Sequence, residues 1–421
     1  MSSPKITVIG IGEDGLDGLS PAARALVGGA DLLVGGERHL AKVPEGPAER
    51  LDWSGGLDPA FDRIQEHLND NRDDTVVVLA SGDPSHFGVA SALIRRFGAD
   101  TVFTIPAPGA VSLACARMGW AVDGVQVATI HGRDRDRALE TLSLFFTPGV
   151  KLVVLARDGH SPAEVAALLT AQGFGPSRMS VLEHMGGQTE KRIDGLAESW
   201  AVEVTADLAT VCVELVSGSA ARPWSRLAGL PDDAFAHDGQ LTKREVRAVT
   251  LSSLAPLPGE TLWDLGAGAG SIGIEWLRAD VSCQAVAVER DRVRAARIAQ
   301  NAATLGVPRL HIVQADVLDA LNAHDMLAGA PDAIFVGGGV GTPGLLQAAW
   351  ERLAPGGRLV VNAVTAEGAA ALTEMKQIHG GELTQISVAR TASKPENQKN
   401  AATLFEPMRT VTQYVGEKTV K

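Results

Sequence analysis

With 421 residues, 45% hydrophobic and 21% charged, the chain exceeds what a single core usually organises, so two domains are expected. The net charge of −12 is unevenly spread, with 18 basic and 29 acidic side chains in residues 1–220 against 20 and 21 in residues 221–421; no basic run stands out, which argues against a nucleic-acid surface. The longest apolar runs, residues 75–80 and 151–156, are strand-length and fall far short of a membrane span.

The N-terminus leads straight into a strand over 5–9, so no signal peptide is expected. That strand ends in Gly10-Ile11-Gly12-Glu13-Asp14-Gly15. A helix follows over Pro21–Gly28, with Ser20 as N-cap and Pro21 at the first helical position. The continuous apolar run 75–79 predicts a buried strand. It empties into Ser81-Gly82-Asp83-Pro84-Ser85-His86-Phe87-Gly88 and a helix over 89–96. A strand over 101–105 leads to Pro106-Ala107-Pro108-Gly109-Ala110-Val111-Ser112 and a small-residue helix ending near Gly119. Further on stand Glu183-His184-Met185-Gly186-Gly187 with Glu190, and a strand over 210–215. Such alternation of strands and helices is an α/β layered pattern. Taken alone, Ser-Gly-Asp-Pro is ordinary turn chemistry, and His86 and His184 read as polar loop residues. The cysteines Cys115, Cys212 and Cys283 lack paired spacing, which fits a reducing cytoplasm and no metal site.

In order and together, these N-terminal motifs resemble the tetrapyrrole methylase family, also called class III methyltransferases, over about residues 4–217. The resemblance implies a two-lobed α/β fold holding S-adenosylmethionine folded between its lobes, largely by backbone groups. It carries over Gly12, Ser81, Gly82, Asp83, Val111 and Ser112 as cofactor-binding candidates, with Leu155 and Ala156 where the second lobe opens. The family's opening loop is G-x-G-P-G-D; the loop at Gly10–Gly15 lacks the proline.

Residues 217–224, Ser-Gly-Ser-Ala-Ala-Arg-Pro-Trp, have the composition of a boundary. The expected domains are 1–220 and 236–421, joined by a linker over 221–235. Arg244–Leu254 reads as an amphipathic helix with Val246, Val249, Thr250 and Leu254 facing inward. Lys243, Arg244 and Arg247 suit either a binding segment or a solvated helix face.

Trp263-Asp264-Leu265-Gly266-Ala267-Gly268-Ala269-Gly270-Ser271-Ile272-Gly273 describes a strand turning tightly into a helix. Without side chains at Gly266, Gly268 and Gly270, a ligand can lie directly on the turn. Residues 268–273 also satisfy the dinucleotide pattern G-x-G-x-x-G. Three features favour S-adenosylmethionine over a nicotinamide cofactor. Asp264 is placed to face a cationic amino group. A strand over 285–289 ends in Glu289, suited to two ribose hydroxyls; the alternative, a solvated acid opening the helix 290–305, loses in this sequence context. A strand over 310–316 ends in Asp316, followed by Val317, where an adenine amino group is usually met. With the strand Ala333–Val336 and the turn Leu353-Ala354-Pro355-Gly356-Gly357, this region resembles the Rossmann-like class I methyltransferases.

The segment Thr242-Lys243-Arg244-Glu245-Val246-Arg247, placed just before that core, is similar to the decarboxylating precorrin methyltransferase family. That likeness implies that Thr242 closes over the cofactor. Cofactor candidates in this half are therefore Thr242, Asp264, Gly266, Ala267, Gly268, Ala269, Gly270, Glu289, Asp316 and Val317.

Joined in one chain, the two families imply a bifunctional enzyme of corrin (cobalamin) biosynthesis. The N-terminal half would methylate C-5, and the C-terminal half would methylate C-15 and decarboxylate the ring C acetate, converting precorrin-6B to precorrin-8. Implied with this are one S-adenosylmethionine per domain, a small-molecule tetrapyrrole substrate, self-association, and no metal, nucleic acid or membrane. An acidic ring needs N–H or cationic partners. Gly337, Gly338 and Gly339 form either an anion-binding nest or a flexible loop. Arg390 and Lys394, with Lys399 and Arg409, flanked by expected strands over 383–389 and 402–405, either grip carboxylates or are merely solvated. No catalytic residue is singled out, because a sulfonium methyl is already activated and alignment supplies much of the rate. Two alternatives stay open: a class I methyltransferase of RNA or protein with an accessory N-terminal half, and a scaffold in which one pocket has degenerated.

Overall fold

A computed structural model describes residues 5–71, 74–130, 135–323, 326–391 and 404–419. The chain forms two compact units, one of residues 1–133 and 147–221, the other of residues 134–146 and 222–421. This division differs from the expected domains 1–220 and 236–421 in two respects: residues 135–146 pack with the second unit, and the expected linker over 221–235 belongs to it from Arg222 onward, with Leu230 and Phe235 buried in its core. There Leu144, 5% exposed, joins the buried cluster that contains Leu305 and Val307. Among the described residues, no helix is long and apolar enough to cross a membrane.

In the first unit, Ile6–Ile11 is buried at every position, as a strand sandwiched on both faces must be. It runs parallel to Val76–Ser81 on one side and Val102–Ile105 on the other. Leu32–Gly35 and Glu49–Asp52 complete an all-parallel sheet of five strands. Pro21–Gly28 is helical, and the Ser20 hydroxyl accepts from the Ala23 amide at 3.2 Å, which satisfies one of the otherwise unpaired donors of the first turn. A second sheet orders Val125–Thr129, Lys151–Leu155, Ala209–Glu214, Arg178–Glu183 and Lys191–Leu196. Only its first pair is parallel. These two α/β layers are the two-lobed arrangement that the sequence motifs imply.

The second unit is built on a seven-stranded sheet: His311–Val313, Gln284–Val288, Thr261–Leu265, Ala333–Val336, Arg358–Ala363, Val411–Glu417, Glu382–Ile386. The first five are parallel, and Val411–Glu417 is antiparallel to both its neighbours. This is a Rossmann-like order with one inverted strand slotted in near the edge. The inverted strand is absent from the sequence reading, and the expected strand over 383–389 is instead split into Glu382–Ile386 and Ala389–Thr391. The latter pairs with Phe405–Pro407; of the expected strand over 402–405, residues 402 and 403 lie outside the described residues, and Phe405 opens the strand instead of closing it. Val411–Glu417 escapes detection because it buries a polar residue. Gln413, 2% exposed, donates to Thr250 Oγ1 and Asn362 Oδ1 and accepts from Ser253 Oγ at 2.9 Å.

The helix Arg244–Leu254 forms as expected, but its inward stripe needs a correction. Val246, Thr250 and Leu254 are buried, while Val249 is 40% exposed. The stripe includes Arg247, which is fully buried, so an apolar-only pattern sets the helix at the wrong rotation. The solvated-face reading therefore fails for Arg247. Its Nε donates to Glu275 Oε1 at 2.6 Å and its Nη1 to Asp232 Oδ1 at 3.3 Å. Nη1 also donates to the Thr242 carbonyl and Nη2 to the Leu230 carbonyl, and the guanidinium lies 4.8 Å from the Phe235 ring centre. Glu275 is likewise satisfied, accepting from the amides of Gly229 and Leu230 at 2.6 and 3.0 Å. Removing one member of such a pair strands a buried charge. Arg247→Met is therefore expected to destabilise the second unit by about 3–5 kcal/mol, read as a lowered urea midpoint; a change of less than about 1 kcal/mol would show that the pair is dispensable.

Candidate functional sites in the two units

In the second unit, the carboxyl ends of Thr261–Leu265 and Ala333–Val336 open onto a cavity of about 540 Å³, the edge where open α/β sheets bind ligands. Its walls include Gln240, Leu241, Thr242, Lys243, Gly266, Ala267, Gly268, Gly337 and Asn362. Gly268 has φ +60°, and a Cβ there would stand 3.1 Å from the Gln240 carbonyl oxygen. The backbone before Thr242 thus passes directly over the glycine turn. Only a residue without a side chain allows both the left-handed turn and that approach.

Thr242, Gly266, Ala267, Gly268 and Gly337 are brought together at this cavity. Asp264, Ala269, Gly270, Glu289, Asp316, Val317, Gly338 and Gly339 are not among its lining residues. Glu289 is only 5% exposed and does not fit the solvated reading. Its two oxygens accept from the amides of Gly268, at 2.9 Å, and Asp291, at 3.0 Å. Asp316 is exposed and caps the helix Val317–Asn322, accepting from the Leu318 amide at 3.0 Å. Ala269 is buried, its carbonyl held by the Asn301 side-chain amide. The Gly337 amide donates to the Leu265 carbonyl at 3.1 Å, which removes one donor from the possible nest.

Asp264 is 1% exposed. Its Oδ2 accepts from the Gly273 amide at 2.9 Å, while its Oδ1 has no partner. Burial pushes its pKa up to about 7; the Gly273 hydrogen bond opposes the rise and the negative charge of Glu289 adds to it. An orphaned, buried carboxylate oxygen behind a glycine turn fits a cationic ligand group. Bare backbone at the turn fits a ligand that lies flat upon it. These residues therefore suit the methyl donor that the motifs imply.

Arg390 does not line this cavity. It donates to Asp232 Oδ2 at 2.9 Å and Glu245 Oε2 at 2.5 Å. Burial raises the Asp232 pKa, but the hydrogen bond from Arg390 and the charges of Arg247 and Arg390 outweigh it and hold the carboxyl below its ordinary value. Lys394 and Lys399 lie outside the described residues. Arg409 does line the cavity, with Val388, Met408 and Val411. Of the residues that sequence reasoning missed, Asn362 carried a signal: a lone amide in the apolar strand Arg358–Ala363.

The first unit holds two adjoining cavities, of about 580 and 80 Å³, that share Arg38, His39, Ser81 and Gly82 in their walls. Gly82 has φ +54°, and a Cβ there would meet Gly109 Cα at 2.7 Å; the Ser-Gly-Asp-Pro and Pro-Gly loops are packed backbone to backbone. Asp83, Leu155 and Ala156 line the larger cavity and Gly12 the smaller. Val111 is instead buried in the core, and Ser112 is exposed on the helix Ala110–Met118; neither lines a cavity.

The loop that lacks the family's proline carries Glu13, and this carboxylate gathers three basic side chains. Its Oε1 accepts from Lys42 Nζ at 2.6 Å and Arg38 Nη1 at 3.4 Å, and its Oε2 lies 3.1 Å from His184 Nδ1. Burial raises the Glu13 pKa, but Lys42, His184 and Arg38 together hold it below its ordinary value. Arg38 Nη2 also donates to Ser81 Oγ at 3.0 Å, and His39 Nε2 lies 2.8 Å from the same oxygen. Burial pushes His39 down to about 4, with Arg38 and Lys42 adding to the shift, so His39 is neutral at pH 7. Sequence reasoning missed Glu13, Arg38, His39 and Lys42, which come together only through the folding of distant loops.

Comparison with known proteins places both units. Residues 5–201 match the family model of tetrapyrrole (corrin/porphyrin) methylases, and residues 233–418 match that of the precorrin methyltransferase domain. A precorrin-6Y C(5,15)-methyltransferase [decarboxylating] of Sinorhizobium sp. is 43% identical over 92% of this chain and 91% of its own length. A protein of the same description from Mycobacterium tuberculosis is 43% identical over 90% of this chain and 93% of its own. The solved C-terminal domain of precorrin-6Y C5,15-methyltransferase from Rhodobacter capsulatus is 39% identical, covering 46% of this chain and all of that one, with a TM-score of 0.42. The chain belongs to the family of decarboxylating precorrin-6Y C(5,15)-methyltransferases.

Proposed function

We propose that this chain methylates precorrin-6B at C-5 and C-15 and decarboxylates its ring C acetate, yielding precorrin-8. The first unit is assigned the C-5 methylation; the second is assigned the C-15 methylation and the decarboxylation. Each unit holds its own S-adenosylmethionine. The observation that carries this reading is that, in each unit, a glycine-bearing loop marked by the sequence lines a cavity: Gly82 in the first and Gly266–Gly268 in the second. Self-association and a cytoplasmic setting belong to the same reading.

Bound S-adenosylmethionine supplies a methyl group already activated on sulfonium. In the second unit, the backbone of residues 266–268 and Thr242 would hold it, with Asp264 behind its amino group. Glu289 would face the ribose, and Asp316 with Val317 the adenine. In the first unit the corresponding residues are Gly12, Ser81, Gly82, Asp83, Leu155 and Ala156, which line its cavities. What the chain contributes is alignment and exclusion of water, worth up to roughly 7–11 kcal/mol of barrier when two reactants are held in line. Gln240 and Thr242, lying over the glycine turn, serve that end.

Replacing Gly268 by valine puts a branched side chain where even a Cβ would press on the Gln240 carbonyl. Gly268→Val is expected to abolish carbon dioxide release while one methyl is still added, followed by mass and by labelled carbon dioxide. Release at the normal rate would overturn the assignment of decarboxylation to the second unit.

A second expectation concerns pH. The Asp264 pKa rises from 3.8 to about 7 on folding, so the folded form binds the extra proton between those values. In the ligand-free protein, the stability this group contributes is full below pH 3.8 and is lost as pH rises through about 7. A cationic amino group beside Asp264 favours the ionised carboxylate. Stabilisation by S-adenosylhomocysteine should therefore grow as pH rises through this window, and in Asp264→Asn it should not. Thermal shifts that stay flat with pH in the unaltered protein would remove Asp264 from the amino-group site.

A further inference from the structure

Among the described residues, no acidic side chain lines the cavity of the second unit, yet two cations, Lys243 and Arg409, do. Neither has an ion-pair partner among the described residues. Two neighbouring arginines are different: Arg390 is held by Asp232 and Glu245, and Arg247 by Glu275 and Asp232. In a chain of net charge −12, two cations at the cleft without ion-pair partners among the described residues, Lys243 half-buried and Arg409 exposed, put a positive potential on whatever enters it.

Both cations stand on fixed backbone. Lys243 is the N-cap residue of Arg244–Leu254. On one side of it the Thr242 carbonyl is held by Arg247, and on the other the Arg244 amide donates to Asp232 Oδ1 at 2.9 Å. Arg409 follows Met408, whose amide donates to the Val388 carbonyl at 2.8 Å, and it precedes the strand Val411–Glu417. Much of the remaining wall is apolar, with Phe335, Val388, Met408 and Val411.

We propose that Lys243 and Arg409 are a specificity pair that binds carboxylate arms of the ring which do not react, while the acetate that loses carbon dioxide lies against the apolar wall. This deepens, and rests on, the function proposed above. In the decarboxylation, the bond from the arm's CH2 carbon to its carboxylate breaks. The electron pair passes into the conjugated ring, carbon dioxide leaves, and a solvent proton ends on the CH2 carbon to make it a methyl group. A cation paired with that carboxylate would stabilise the starting state more than the transition state, in which the negative charge moves into the ring, and would slow the step. Cations therefore belong on the spectator arms.

The test uses the full chain with precorrin-6B and follows carbon dioxide release and C-5 methylation separately. In Lys243→Ala and Arg409→Ala, the KM for carbon dioxide release should rise about tenfold each, the cost of one charged hydrogen bond. The kcat should stay within about twofold, as loss of uniform binding requires. Lys243→Arg and Arg409→Lys should recover most of the loss. The KM for C-5 methylation and the affinity for S-adenosylhomocysteine should not move. An unchanged KM for carbon dioxide release, or a fall in kcat at constant KM, overturns the pairing with spectator arms. An equal loss of S-adenosylhomocysteine affinity overturns it too, by placing the cations at the donor. If the unaltered chain releases no carbon dioxide, the proposed function falls and this inference with it.

Discussion

A guanidinium without solvent must have its N–H groups paired, and in the second unit that requirement organises the binding edge. Arg247 ties the helix that bears it to Glu275 on Ser271–Ala279, to Asp232, and to the carbonyls of Leu230 and Thr242. Three stretches of chain, which also share the apolar cluster of Leu230, Leu251, Leu254 and Trp276, are thereby fixed in register. Buried ion pairs contribute little net stability compared with apolar replacements, but they penalise misalignment heavily. Here the aligned feature is the backbone of residues 239–243, which crosses the glycine turn at the distance of the Gln240 carbonyl from Gly268. The roof of the cavity and the placement of Lys243 at its edge, over the glycine turn, rest on this polar node.

The first unit reaches a comparable end by different means. Loops at the ends of its parallel strands pack backbone against backbone at Gly82 and Gly109, and side-chain chemistry is concentrated in a cluster around Glu13. Where the family's loop has a proline to stiffen it, this chain places a carboxylate that holds Lys42, Arg38 and His184 from separate segments. Rigidity comes from charge pairing instead of a ring. On the function proposed above, neither unit needs a nucleophilic side chain, since the donor is activated before it binds and each unit has only to position it and the ring.

Much of this was readable in the sequence where one local rule decides the outcome. The helix Pro21–Gly28 with its Ser20 cap, the helix Arg244–Leu254, the strand Ala333–Val336 and the glycine turn after Leu265 all follow from capping, periodicity or left-handed backbone. Features set by distant contacts were not readable. Val411–Glu417 hides behind a buried Gln413, Val249 and Arg247 exchange their expected faces, and residues 134–146 leave the unit they are encoded in. In the second unit's site, Gly266, Ala267, Gly268 and Gly337 reach the cavity wall while Ala269, Gly270, Gly338 and Gly339 on the same turns do not, and Glu289 and Asp316 are engaged in hydrogen bonds to nearby amides. A carboxylate at the end of a strand is a sound pointer to a binding edge, but its partners depend on which amides the next turn exposes.

Two pockets of unlike architecture, each shaped for the same donor, make up the claim on which the assignment of activities stands. Isothermal titration of the intact chain with S-adenosylhomocysteine tests it most directly. The account predicts two equivalents bound per chain. Saturation at one equivalent would contradict it, leaving one of the pockets without the ligand its loops were taken to hold.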